Sequence, residues 1–115
     1  MSRRTEPGPA DTALLFSAMA SESRLRILQL LAGERFCVGA LSRLTGISAG
    51  AVSQHLRVLK SAGLVEPQRR GYFIHYRLAP GAGRLLSTAL KSVIHPKKGT
   101  SPCATRSRSA SARRN

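Results

Sequence analysis

Acidic and aromatic residues are scarce in this sequence of 115 residues, which has no tryptophan and only five Asp and Glu residues. The five carboxylates are scattered along the chain, and with the three histidines they form no paired-acid, catalytic-triad or metal-hydrolase spacing. A glycine-rich phosphate-binding loop is missing as well. The sequence therefore predicts a protein that is not an enzyme.

Long apolar runs are also missing. No run approaches the roughly 18 apolar residues of a membrane-spanning helix, and the first residues, MSRRTEPGPAD, lack the apolar stretch of a signal peptide. The two cysteines, Cys37 and Cys103, are too few for a disulfide framework and suit thiols in a reducing compartment. These features predict a cytoplasmic protein with no membrane partner.

Positive charge is the most abundant feature of the composition. Nineteen Lys and Arg residues give a formal net charge of +14, which predicts a polyanionic partner. Residues 96–115 hold six bases and no acid, and residues 11–95 hold eleven bases and four acids. The length suits one domain. We expect a flexible arm over residues 1–10, a folded domain over residues 11–95, and a disordered basic Ser/Arg tail over residues 96–115.

The spacing of apolar residues predicts a mainly α-helical domain with five helices and a small β-hairpin. The first helix is expected to begin at Asp11, placed to cap it, and the second at Ser21. The run FCV at residues 36–38 is expected to form a brief strand or an extended link before a short helix over residues 40–44. A last helix carries a broad apolar face over residues 85–94.

The predicted hairpin begins with Leu64 and Val65. The alternation that is typical of a strand continues through Tyr72, Ile74, Tyr76 and Leu78. Residues 67–71, PQRRG, would then form the connection and place two arginines, Arg69 and Arg70, at the tip.

The segment LTGIS, residues 44–48, predicts the turn of a helix-turn-helix. Gly46 can take the left-handed conformation that ends one helix, and Ser48 is a favourable N-cap for the next. A short helix, a glycine-bearing turn and a second helix over residues 49–62 make up this motif.

The second helix of the motif has an apolar side and an outer side. A step of 100° per residue places Val52, Leu56 and Leu59 together on the apolar side. Small residues at the start of the helix, Ala49, Gly50 and Ala51, would let it press into a DNA major groove. On the outer side, Gln54 can pair with adenine, and Arg57 can reach guanine or phosphate. We therefore interpret it as a DNA-recognition helix.

Further contacts with double-stranded DNA are expected around this helix. Ser48, Ser53 and the helix N-terminus suit phosphate groups. Arg69 and Arg70 would make the hairpin a wing that touches phosphate or the minor groove. His55 lies on the flank of the apolar side, where it is either a structural histidine or a phosphate contact.

At these residues the chain resembles the ArsR/SmtB winged helix-turn-helix transcriptional repressors. The resemblance runs from ESRLRILQLL through FCVGALSRLTGISAGAVSQHLRVLKSAGLVEPQRRGYFIHYRL, and VSQHLRVLKSAGLV is its most specific piece. It implies a homodimer built by the first and last helices, binding to an imperfect inverted repeat, and an inducer that weakens DNA binding. The apolar faces over residues 13–19 and 85–94 agree with a two-fold dimer.

The inducer sites of the family are only partly matched. Its arsenic, cadmium and lead sensors carry two cysteines one residue apart before the third helix, whereas this chain has Cys37 and, at the second position, Gly39. Zinc and nickel members carry an acid and histidines on the last helix, which here offers only His95. Cys37 and Cys103 could instead come together to bind arsenite or another thiophilic ion, or to form a redox disulfide. Alternatively, Cys37 is a small core residue and Cys103 an incidental thiol.

Two other classes of function remain open. The basic charge and the tail also suit a nonspecific nucleic-acid-binding or architectural protein. The ratio of specific to nonspecific affinity separates it from a repressor. A protein-interaction module without a role on DNA would leave Gly50, Gln54, Arg57 and the basic wing as coincidences.

Overall fold

The computed structural model describes residues 8–95, so the predicted tail, Cys103 and most of the predicted arm lie outside the described residues. Five helices and three strands follow in order: α1 Pro9–Met19, α2 Glu22–Gly33, β1 Phe36–Cys37, α3 Val38–Thr45, α4 Ala49–Ser61, β2 Val65–Arg70, β3 Phe73–Leu78 and α5 Ala82–Ile94. This order confirms the predicted five helices and wing. Among residues 8–95, no helix is long and apolar enough to cross a membrane.

The start of α1 differs from the prediction. The helix begins at Pro9, two residues early, and Gly8 is its N-cap. Asp11 does cap the start of the helix, but as its third residue and not as the N-cap: its Oδ2 accepts from the backbone N–H of Gly8 at 3.2 Å. Proline suits the first helical position because its missing N–H would have no partner there. The second helix was expected to begin at Ser21, and α2 begins one residue later at Glu22, with Ser21 as its N-cap.

The three strands form one antiparallel sheet in the order β1-β3-β2. Phe36 and Cys37 pair with β3, and Val38 already begins α3. The prediction of a connection over residues 67–71 is wrong, because β2 continues to Arg70 and only Gly71 and Tyr72 form the turn. Pro67 is tolerated in β2 because this strand lies at the sheet edge. Gly71 has φ +65°, a conformation that favours glycine.

The core lies between the helices and the sheet. Its most completely buried side chains include Ile27 of α2, Leu41 of α3 and the predicted apolar side of α4, namely Val52, Leu56 and Leu59. Each of these α4 side chains is at most 1% exposed. Burial of one side of α4 fixes its rotation and directs its other side to the surface.

Large apolar side chains remain exposed on the first and last helices. Leu14 of α1 is 70% exposed, and α5 exposes Leu90, Val93 and Ile94 by 52%, 59% and 58%. The buried residues of α5 are Ala82 and Ala89, and Val93 lies one turn beyond Ala89 on the same face. We call Leu14, Leu90, Val93 and Ile94 the apolar surface of α1 and α5. A patch of this kind commonly marks an interaction site.

Candidate nucleic-acid interface

The turn between α3 and α4 is held by short-range hydrogen bonds. Gly46 ends α3 with φ +80°, and its N–H donates to the carbonyl oxygen of Ser42 at 2.9 Å. The Ser42 hydroxyl donates to the carbonyl oxygen of Ile47 at 2.6 Å. Ser48 then caps α4, because its Oγ accepts from the N–H of Ala51 at 3.1 Å. The predicted roles of Gly46 and Ser48 in the turn are confirmed, and together these bonds fix where α4 begins.

The outer side of α4 is open along its length. Most of the residues here that are predicted to contact DNA are exposed: Ser48, Gly50, Ser53, Gln54 and Arg57. The other two, Ala51 and His55, are half-buried. A Cβ atom built on Gly50 would meet only the Oγ of Ser48, at 4.0 Å. Nothing inside the described fold therefore requires a glycine at this position, and the first turn presents backbone and small side chains outward.

His55 is tied to the body of the protein by a residue of α2. Its Nδ1 accepts from the Nε–H of Arg24 at 3.1 Å, and Arg24 also donates through Nη1 to the carbonyl oxygen of Ala18 at 3.3 Å. His55 therefore has a structural role through Nδ1, which is one of the two predicted alternatives. Its Nε2 takes no part in this bond. The sequence predicts no role for Arg24, because two residues 31 positions apart leave no periodic signal.

The wing carries two exposed arginines at the end of β2. Arg69 pairs in register with Ile74, and Arg70 with Phe73 next to the turn. Because successive residues of a strand point to opposite faces, these two arginines project from opposite faces of the hairpin. Nearer its base, Arg77 donates through Nε to Oε2 of Glu66 at 2.8 Å. This bond joins the two strands at the end where the wing leaves the core.

The described residues have a strong excess of positive charge. Residues 8–95 contain eleven Lys and Arg residues but only four acids. The one ion pair within this range joins Arg77 to Glu66. The other bases, including Arg57, Arg69 and Arg70, thus carry charge that no described carboxylate neutralises. Such a surface attracts the phosphate backbone of a nucleic acid.

Cys37 lies at the junction of β1 and α3. It is half-buried, is the N-cap residue of α3, and pairs in register with His75 of β3. A Cβ atom built on Gly39 would lie 4.0 Å from the Cys37 Sγ and 3.7 Å from Nη1 of Arg43. No group of three His, Cys, Asp or Glu residues able to hold a metal occurs between residues 8 and 95. His95, the histidine that the sequence places on the last helix, is exposed and lies just beyond the end of α5.

Comparisons with known proteins agree on one family. Residues 21–67 match the family described as "Bacterial regulatory protein, arsR family". The chain is 39% identical over 85 residues to the HTH-type transcriptional regulator YgaV of Escherichia coli (strain K12), an alignment that covers 73% of this chain and 86% of YgaV. It is 32% identical over 82 residues to the arsenic resistance transcriptional regulator ArsR1 of Pseudomonas putida, covering 70% of this chain and 64%, less than two thirds, of ArsR1.

A solved structure supports the same assignment. Reduced HlyU from Vibrio cholerae superposes with a TM-score of 0.60 at 31% identity, over 76% of this chain and 92% of HlyU. The relatives are transcriptional regulators rather than enzymes, and the family binds DNA through its helix-turn-helix. The chain therefore belongs to the ArsR family of winged helix-turn-helix transcriptional regulators.

Proposed function

We propose that the protein is a cytoplasmic repressor that binds an inverted-repeat operator in double-stranded DNA as a homodimer. The exposed first turns of α4, with small residues at the start and Gln54 and Arg57 behind them, carry this proposal. Gln54 would pair with adenine in the major groove, and Arg57 would contact guanine or phosphate. Ser48, Gly50, Ala51 and Ser53 would lie against the groove and its phosphates.

The wing would extend the contact beyond the major groove. Arg69 and Arg70 project from opposite faces of the hairpin, so when one face of the wing lies against the DNA, one arginine faces the DNA and the other faces away. The facing arginine would bind phosphate or enter the minor groove. We expect single substitutions of Arg69 and Arg70 to have unequal effects on DNA affinity.

The apolar surface of α1 and α5 would form the dimer interface. Four large side chains on two helices are exposed there by 52% to 70%. A two-fold axis through this surface would bury it against its own copy. To bind an inverted repeat, the two copies of α4 in such a dimer must lie about one helical turn of DNA apart.

The inducer that we propose acts on thiols. Cys37 and Cys103 of one subunit or of two would bind arsenite or another thiophilic ion, or would form a disulfide. One relative is named an arsenic resistance regulator, and one similar structure is that of a reduced protein. The second cysteine of the two-cysteine pattern is Gly39 here, so a thiol from elsewhere in the chain is needed.

Substitution of each cysteine tests this inducer. Cys37→Ser and Cys103→Ser should each abolish release of DNA by arsenite and by a thiol oxidant, with DNA affinity of the reduced protein unchanged. Release that persists in the double variant would refute the thiol mechanism. The protein would then be an ArsR-type regulator that responds to another signal or to none.

Selection from a random pool of duplexes tests DNA recognition. Purified, reduced protein is mixed with the pool at about physiological salt, and the bound fraction is sequenced. An enriched inverted repeat supports the proposal. Tight, salt-sensitive retention without enrichment would instead identify a nonspecific nucleic-acid-binding protein, which the excess of basic residues also suits.

A further inference from the structure

The side chain of Arg24 connects three helices. From α2 it donates through Nε to Nδ1 of His55 on α4 at 3.1 Å, and through Nη1 to the carbonyl oxygen of Ala18 on α1 at 3.3 Å. Ala18 lies in the last turn of α1, where carbonyl groups lack partners within the helix. A cation at this end also interacts favourably with the helix dipole. The Nη1 group of Arg24 is thus held by the end of α1, and its Nε–H points at His55.

This contact determines which nitrogen of His55 carries the proton. A guanidinium group has only donors, so the Nδ1 that faces Arg24 must accept and cannot bear hydrogen. A neutral His55 ring therefore has its proton on Nε2. Nε2 has no hydrogen-bond partner between residues 8 and 95 and is not a buried atom. The ring therefore has a donor N–H on the flank of α4, beside Gln54, that no described residue accepts from.

We infer that Arg24 is a positioning residue for DNA binding, which holds His55 so that its Nε2–H donates to a phosphate of the operator. The inference rests on the proposed function, since it places His55 against DNA. A phosphate suits this position better than a base edge, because His55 is half-buried on the flank of α4 and not on its outer side. One ring thus has a structural role through Nδ1 and a binding role through Nε2.

The tautomer of His55 gives a test that needs no DNA. Long-range proton–nitrogen NMR correlations of the free, full-length protein should show His55 protonated on Nε2 at a pH where the ring is neutral. Arg24→Met should turn this single tautomer into a mixture. A wild-type ring protonated on Nδ1, or already a mixture, would overturn the inference. Because the wild-type spectrum decides by itself, the test remains valid if Arg24→Met does not fold.

Binding to the selected operator duplex tests the phosphate contact. His55→Asn keeps an acceptor near the position of Nδ1 but removes the Nε2–H. We expect a melting temperature near that of the wild type and an operator affinity about tenfold lower, since the lost hydrogen bond is to a charged group. Unchanged affinity would overturn the proposed contact.

A double-mutant cycle distinguishes positioning from direct binding by Arg24. Arg24→Met should lower operator affinity about fivefold alone but less than about twofold when combined with His55→Asn. Arg26→Met is the matched control, because it removes the same charge at an exposed position of the same helix. It should change operator affinity by the same factor with and without His55→Asn. Equal losses from Arg24→Met in both backgrounds would indicate a direct phosphate contact and refute positioning.

Failure of the two proposals can be told apart. If the wild type selects no duplex, the proposed function and the phosphate contact both fail. If specific binding is intact but the tautomer is wrong, only the role of Arg24 fails.

Discussion

Leu90→Ala tests whether the apolar surface of α1 and α5 forms the dimer interface. Leu90 is 52% exposed in the single chain. Complete burial of a leucine side chain contributes about 1.5–3 kcal/mol, so covering the exposed half contributes about 1 kcal/mol. A two-fold interface contains two copies of this residue. Truncation should therefore weaken the dimer by about 2 kcal/mol, which is about a thirtyfold increase in its dissociation constant.

Sedimentation velocity over a series of protein concentrations measures this constant. The melting temperature of the variant under monomeric conditions should fall only modestly, because about half of the Leu90 side chain is already exposed in the single chain. Tyr72→Ala is the matched control: Tyr72 is 97% exposed, but it lies at the turn of the wing. If Leu90→Ala dimerises like the wild type, or if Tyr72→Ala weakens the dimer equally, the assignment of this interface is wrong.

Other predictions concern α4, the tail and the thiol site. Ser48→Ala removes the cap of α4 and should destabilise the fold by about 1 kcal/mol in chemical denaturation; an unchanged unfolding midpoint would show that the cap is dispensable. Gly50→Leu should leave thermal stability unchanged or higher, since the position is open, yet weaken operator binding at least about tenfold by steric conflict with the groove; undiminished binding in a mobility-shift titration would remove Gly50 from the interface. Deletion of residues 97–115 should weaken binding to all duplexes alike and flatten its salt dependence, whereas loss of affinity for one operator only would contradict a nonspecific tail. Gly39→Cys should place a second thiol near Cys37 and create cadmium binding that is detectable by thiolate absorbance; no added absorbance would show that the two sulfur atoms do not converge.

The parts of the fold that follow local rules were predictable from the sequence. Gly46 and Ser48 were assigned correctly because a left-handed helix end and an N-cap each require particular residue types at particular positions. The buried side of α4 followed from the spacing of Val52, Leu56 and Leu59, and its burial fixed which side chains face outward. The sequence therefore predicts most of the candidate interface, as the outer side of one helix.

The features that depend on tertiary contacts were not predictable in the same way. PQRRG has the composition of a turn, yet Pro67 to Arg70 form an edge strand because pairing with β3 outweighs local preference. The link from Arg24 to His55 depends on how α2 packs across α4, and no spacing in the sequence reports that packing. For the same reason, the sequence does not predict the opposite directions of Arg69 and Arg70, which depend on both lying in β2.

In the proposed function, α4 reads the operator as part of a symmetric dimer. Duplex selection repeated with Gln54→Ala beside the wild type is the decisive test of this mode of binding. We expect the wild type to enrich an inverted repeat, and the variant to lose base preference at one position in each half-site, symmetrically, with the rest of the motif retained. An identical motif for both proteins, or a change in one half-site only, would contradict the account.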